Sequence, residues 1–143
     1  MVLGLAAAVS AAQVTKPGQI SRPAGADEVV RRALHGFAEG GYDGWTQKWL
    51  ARLGDGSAAA LARIYSGRDL SPRDVATALE VIDMSFLGLK DVEVASERQP
   101  RATLFVLRYF DAITTDPSLK NKIRTTRESV LKRTSQAKER TKP

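Results

Sequence analysis

Beyond residue 26 the large apolar side chains recur every three or four positions, the spacing of one face of a helix. Asp27 and Glu28 open the first such run, where Val30, Ala33, Leu34 and Phe37 share a face and the two acids suit the positive end of the helix dipole. Gly40 and Gly41 end it, because glycine tolerates a left-handed cap. A second run from about Asp43 carries Trp45, Trp49, Leu50 and Leu53 and stops at Gly54. A third, Ser57 to Tyr65, is alanine-rich, places Leu61, Ile64 and Tyr65 as its large residues, and stops at Gly67.

The fourth run has the strongest start signal. Ser71-Pro72-Arg73-Asp74 offers a serine cap, a proline at the first helical position, and a carboxylate three residues after the cap. Aspartate is shorter than the usual glutamate of a capping box. Val75, Leu79, Ile82 and Phe86 follow at steps of four, three and four, and Gly88 closes the helix. In residues 89–99, Val92 and Val94 alternate with Glu93, but a lone strand leaves its ladder unpaired, so a loop is predicted. Pro100 opens a fifth helix whose centre, Leu104 to Phe110, is apolar almost all round; this predicts a central helix covered on more than one side. Asp116-Pro117 caps a sixth, with Leu119, Ile123, Thr126 and Val130 in one narrow stripe, fraying near Ser135.

The pattern therefore predicts an all-α fold, a compact bundle of five to six short helices over residues 26–135, followed by a basic end at 136–143. A faint internal echo suggests helix-pair character. Pro72-Arg73 and Pro100-Arg101 lie 28 residues apart, and the same offset aligns Leu79 with Leu107, Ile82 with Phe110 and Asp83 with Asp111. Stacked helix-pair repeats have longer periods and about three copies, so no repeat array is predicted.

Ahead of the helices, residues 1–12 are uncharged and small or apolar. Val2–Val9 has the softness of a signal-peptide core, and Ser10 and Ala12 fit the −3 and −1 positions of a cleavage site before Gln13. No lysine or arginine precedes that run, which a signal peptide ordinarily has. Twelve helical residues span roughly 18 Å, against about 30 Å of hydrocarbon, so a signal peptide is expected and not an anchor. Residues 13–25, with Pro17, Gly18, Pro23 and Gly25, read as a flexible linker. An exported protein, periplasmic or secreted, is the expectation.

Composition and charge narrow the chemistry. The 143 residues suffice for one domain. Absence of cysteine excludes disulfides, thiolate metal sites and a cysteine nucleophile, and the lone histidine, His35, leaves no multi-histidine site. The net charge of +6 is local: residues 120–143 hold nine basic side chains against Glu128 and Glu139, while residues 1–119 carry 13 basic and 14 acidic groups. A nucleic-acid-binding domain spreads positive charge over a folded face, so no nucleic-acid partner is expected. Lys120, Lys122, Arg124, Arg127, Lys132 and Arg133 are candidate contacts to a polyanion or to anionic lipid. They surround the apolar stripe without gathering on one edge, the distribution of a solvated helix face, and no aromatic follows Phe110 to stack on bases.

No complete catalytic constellation is visible. His35 and Glu39 share a helical face but lack further ligands. No Gly-x-Ser-x-Gly elbow or phosphate-cradling glycine pattern occurs. Asp83 and Asp111 are the carboxylates to weigh for a small hydrolase of envelope polymers, against the plainer expectation that Asp83 pairs with a cation of a neighbouring helix. Tyr42, Trp45 and Trp49 lie close together on one short helix, as candidate partner-binding aromatics or as core filling for a small domain. The reading is a small exported helical domain, non-catalytic and without a cofactor, that binds a protein or envelope component or plays a structural role at the cell envelope. Peripheral membrane contact and the carboxylate hydrolase stand as alternatives.

Overall fold

A computed structural model describes residues 25–40, 44–87 and 99–140. The expected leader and most of the linker, and the loop expected at 89–99 up to residue 98, lie outside the described residues. Six helices follow in order: α1 (Ala26–Ala38), α2 (Gly44–Leu53), α3 (Asp55–Tyr65), α4 (Pro72–Leu87), α5 (Arg101–Ile113) and α6 (Pro117–Arg140). The chain is an all-α bundle, with no strand among the described residues.

Local chemistry accounts for the boundaries. The capping box before α4 is complete despite its short aspartate: the Asp74 N–H donates to Ser71 Oγ at 3.1 Å, and the Ser71 N–H donates to Asp74 Oδ2 at 2.9 Å. Asp116 caps α6 by accepting the Leu119 N–H at 2.8 Å. Between α2 and α3 the chain turns on one residue, Gly54, at φ 52° and ψ −121°, a conformation that a side chain would strain. Its N–H donates to the Leu50 carbonyl at 3.1 Å and its carbonyl accepts the Ser57 N–H at 3.0 Å. Two expectations shift: α3 starts at Asp55, ahead of Ser57, and α6 runs past Ser135 to Arg140.

A larger correction concerns the centre of the bundle. The helix around which the others gather is α4, which packs against α1, α2, α3 and α6. Val75, Ala78, Leu79, Val81, Ile82 and Phe86 are all buried, so most of its circumference is covered. Leu104–Phe110 does not form the hub. The helix that carries it, α5, rests chiefly on α3 and α6, and buries Thr103, Val106, Leu107 and Phe110 along one side. Of its other apolar residues, Ala102 and Leu104 are half-buried and Phe105, Tyr109 and Ile113 face outward.

Ion pairs fasten the periphery. Arg63 of α3 donates from Nε and Nη2 to Asp27 Oδ1 of α1, at 2.9 and 2.6 Å. Three cations tie α6 to the body: Lys120 to Asp111 at 3.3 Å, Lys122 to Glu80 at 3.3 Å and Arg133 to Asp83 at 3.7 Å. The two lysine pairs are solvent-exposed, and such pairs stabilise by no more than about 1 kcal/mol each, while the Arg133 pair is partly buried. They set how α6 lies across α4 and α5 more than how stable it is.

Candidate functional site

The uncovered side of α5 is the most distinctive surface among the described residues. Phe105, Tyr109 and Ile113 succeed one another at intervals of four, forming one stripe, and are 65%, 47% and 40% exposed. An isolated exposed apolar side chain is ordinary, but a contiguous row of three on one helix is not. Phe105 and Tyr109 of this row line a groove of about 270 Å³ between α3 and α5, whose other wall is formed by Leu61, Ala62, Tyr65 and Gly67. The Tyr109 ring lies 6.3 Å from that of buried Phe110 and tilted by 51°, which seats the exposed ring on the core.

Three features hold the groove in shape. Asp55, in the first turn of α3, accepts the Ala102 N–H at 2.9 Å and the Thr103 N–H at 2.8 Å, and also the Thr103 hydroxyl at 2.8 Å. It thereby caps α5 from across the groove, where Pro100 supplies no side-chain cap. The Tyr65 hydroxyl donates to the Asp74 carbonyl at 3.3 Å, tying the groove wall to α4. Burial, reinforced by the Asp74 charge and partly offset by Arg68, pushes the Tyr65 phenol up to about 12. The Arg68 guanidinium lies over the Tyr65 ring, 5.3 Å from its centroid.

The residues singled out from the sequence are distributed differently. Tyr42 lies outside the described residues, and Trp45 is carried by α2. Trp49 is half-buried, packs on the core, and has the Arg52 guanidinium 5.1 Å from its ring centroid. Asp83 and Asp111 sit on different helices, each paired with a cation of α6, as the plainer expectation for Asp83 had it. Of the six basic candidates, Lys120, Lys122 and Arg133 make those inward pairs. Arg124 donates to the neighbouring Asn121 side chain, while Arg127 and Lys132 are exposed. His35 is exposed in the last turn of α1. Among the described residues no group of three or more His, Asp or Glu is placed to hold a metal ion, and no helix is long and apolar enough to cross a membrane.

Sequence reasoning missed Phe105 and Tyr109 as surface residues, although the signal was present. Thr103, Val106, Leu107 and Phe110 already make a full core face, so Phe105, Tyr109 and Ile113 form a second apolar face needing a cover of its own. Comparison with protein-family models, with curated protein sequences and with solved structures finds no match to this chain.

Proposed function

We propose that this chain is a small non-catalytic binding module, exported to the cell envelope, that seats a segment of a partner protein in the α3–α5 groove. The observation that carries this reading is the exposed Phe105–Tyr109–Ile113 row beside an apolar groove. Burying a large apolar side chain stabilises by about 1.5–3 kcal/mol, and association alone costs about 4–15 kcal/mol. Three such side chains with matching anchors on the partner suit a reversible contact. At about 270 Å³ the groove lies at the lower edge of the roughly 300–1,000 Å³ range of small-molecule pockets, a space that a few anchoring side chains fill. Export rests on the leader-like run Val2–Val9 with Ser10 and Ala12. No observation favours the carboxylate hydrolase, since Asp83 and Asp111 each hold a cation of α6.

Site-specific photo-crosslinking in cells that produce the protein tests the reading. A photoreactive residue at Phe105 or Tyr109 is expected to give one discrete protein adduct, absent when the same residue replaces exposed Arg31 on α1. Adducts that do not depend on position, or none at all, would refute it. The mass of the recovered protein reports export: a mature chain starting at Gln13 is expected, and retention of Met1 in the cytosol removes the envelope placement.

A further inference from the structure

Resting on the groove reading above, we infer that the segment seated there is an acidic amphipathic helix. Its helical form follows from the register that α4 and α5 share. At the 28-residue offset the buried positions of the two helices coincide: Val75 with Thr103, Leu79 with Leu107, Ile82 with Phe110, and Phe86 with Thr114. Asp83 and Asp111 also correspond, and both bind cations of α6. The correspondence breaks on one face only. Val81 and Ser85 of α4 are fully buried, while their counterparts Tyr109 and Ile113 are 47% and 40% exposed. Around α4 stand α1 and α2, neither of which packs substantially on α5. The Tyr109–Ile113 part of the bare face of α5 is thus the equivalent of a face that helices cover elsewhere in the same bundle, while Phe105 corresponds to half-buried Thr77. Phe105 to Ile113 extends over about 12 Å, two turns, enough for a row of side chains at i, i+4 and i+7 from a crossing helix.

The charge of the occupant follows from the rim. At 100° per residue Arg101 and Arg108 fall on the exposed face of α5 with Phe105 and Tyr109, and both are exposed. Arg68 adds a third guanidinium over the Tyr65 ring, with exposed Asp69 next to it. The one acidic residue of α5, Asp111, is paired with Lys120, while Asp55 keeps its charge as it caps α5 and, with Asp69, leaves the three guanidiniums in excess by one. The rim therefore carries an excess of positive charge around an apolar floor, which selects acidic residues flanking apolar anchors. It also disfavours a second copy of this chain, because pairing α5 with itself would bring Arg101 and Arg108 of both copies into one contact.

The test uses the full chain and a synthetic helical peptide of about four turns, with leucine at i, i+4 and i+7 and glutamate flanking them, beside a twin with lysine in place of glutamate. Fluorescence anisotropy is expected to show the glutamate peptide binding at least about tenfold tighter than the twin, with the gap closing as salt rises. Arg101→Glu with Arg108→Glu is expected to reverse the preference. Phe105→Ser with Tyr109→Ser is expected to abolish binding while the helical circular-dichroism spectrum is retained, because the buried residues Val106, Leu107 and Phe110 that hold α5 are untouched. Equal affinity for the two peptides, with binding still dependent on Phe105, overturns the acidic partner and leaves the groove reading standing. Equal binding of a proline-interrupted glutamate peptide overturns the helical one. Phe105-dependent self-association in sedimentation overturns both in favour of a second copy. Failure of both peptides to bind overturns the inference, and the groove reading falls with it only if the Phe105 cross-links are missing too.

Discussion

Replacing Asp55 with alanine removes one side chain and three hydrogen bonds at once. Its carboxylate accepts the first-turn N–H groups of Ala102 and Thr103 and the Thr103 hydroxyl, and Thr103 is fully buried. Loss of a helix cap costs about 0.5–2 kcal/mol. Leaving a buried amide or hydroxyl without its partner costs about 1–3 kcal/mol. These overlap, since the same groups are counted in each, so a total of about 3 kcal/mol is expected, a large part of the roughly 5–15 kcal/mol that holds a small domain together. With a urea slope of about 1–3 kcal/mol per molar, the midpoint followed by circular dichroism falls by roughly 1–3 M at unchanged slope. Asp55→Asn retains the oxygen facing Thr103 and presents an amide to the Ala102 N–H, so it should fall about midway. An Asp55→Ala protein within about 0.5 kcal/mol of the parent would show that α5 is not capped from α3 in solution.

Two further outcomes are expected. Gly54→Ala forces a side chain into φ 52° and ψ −121° at a one-residue corner, and should cost about 1–3 kcal/mol in the same urea assay; an unchanged midpoint would mean that the corner relaxes. Tyr65, raised from 10.0 to about 12 chiefly by burial, holds its proton more tightly in the folded than in the unfolded chain, so its contribution is full below pH 10 and is lost as pH rises through about 12. Tyr65→Phe should flatten that part of the stability profile, and equal slopes in the two proteins would refute the assignment.

How much of this was legible in the sequence depended on how far each interaction reaches. The capping box at Ser71 and Asp74 and the cap at Asp116 are made within three residues, and the local sequence identified all of them. Asp55 caps a helix 47 and 48 residues away, and nothing in its neighbourhood marks it as a cap. Leu104–Phe110 was apolar enough to be taken for the hub, because periodicity reports which faces avoid water and not whether a neighbour covers them. In the folded chain α4 has four neighbours, and α5, with a comparable apolar content, has a bare row at Phe105, Tyr109 and Ile113. The basic residues near the C-terminus illustrate the same limit. Their spread around the helix pointed to a solvated face, and three of them, Lys120, Lys122 and Arg133, proved to reach back to carboxylates on α4 and α5.

The Asp55 cap also changes what the covalent route into α5 has to accomplish. A helix usually inherits its starting point from the residues that lead into it; here the first turn is pinned sideways, by a carboxylate on a different helix. Closing a longer loop adds only about 0.6 kcal/mol per doubling of its length. Residues inserted between α4 and α5 are therefore expected to leave the aim of the exposed Phe105–Tyr109–Ile113 row unchanged, because the anchor that sets it is carried by α3.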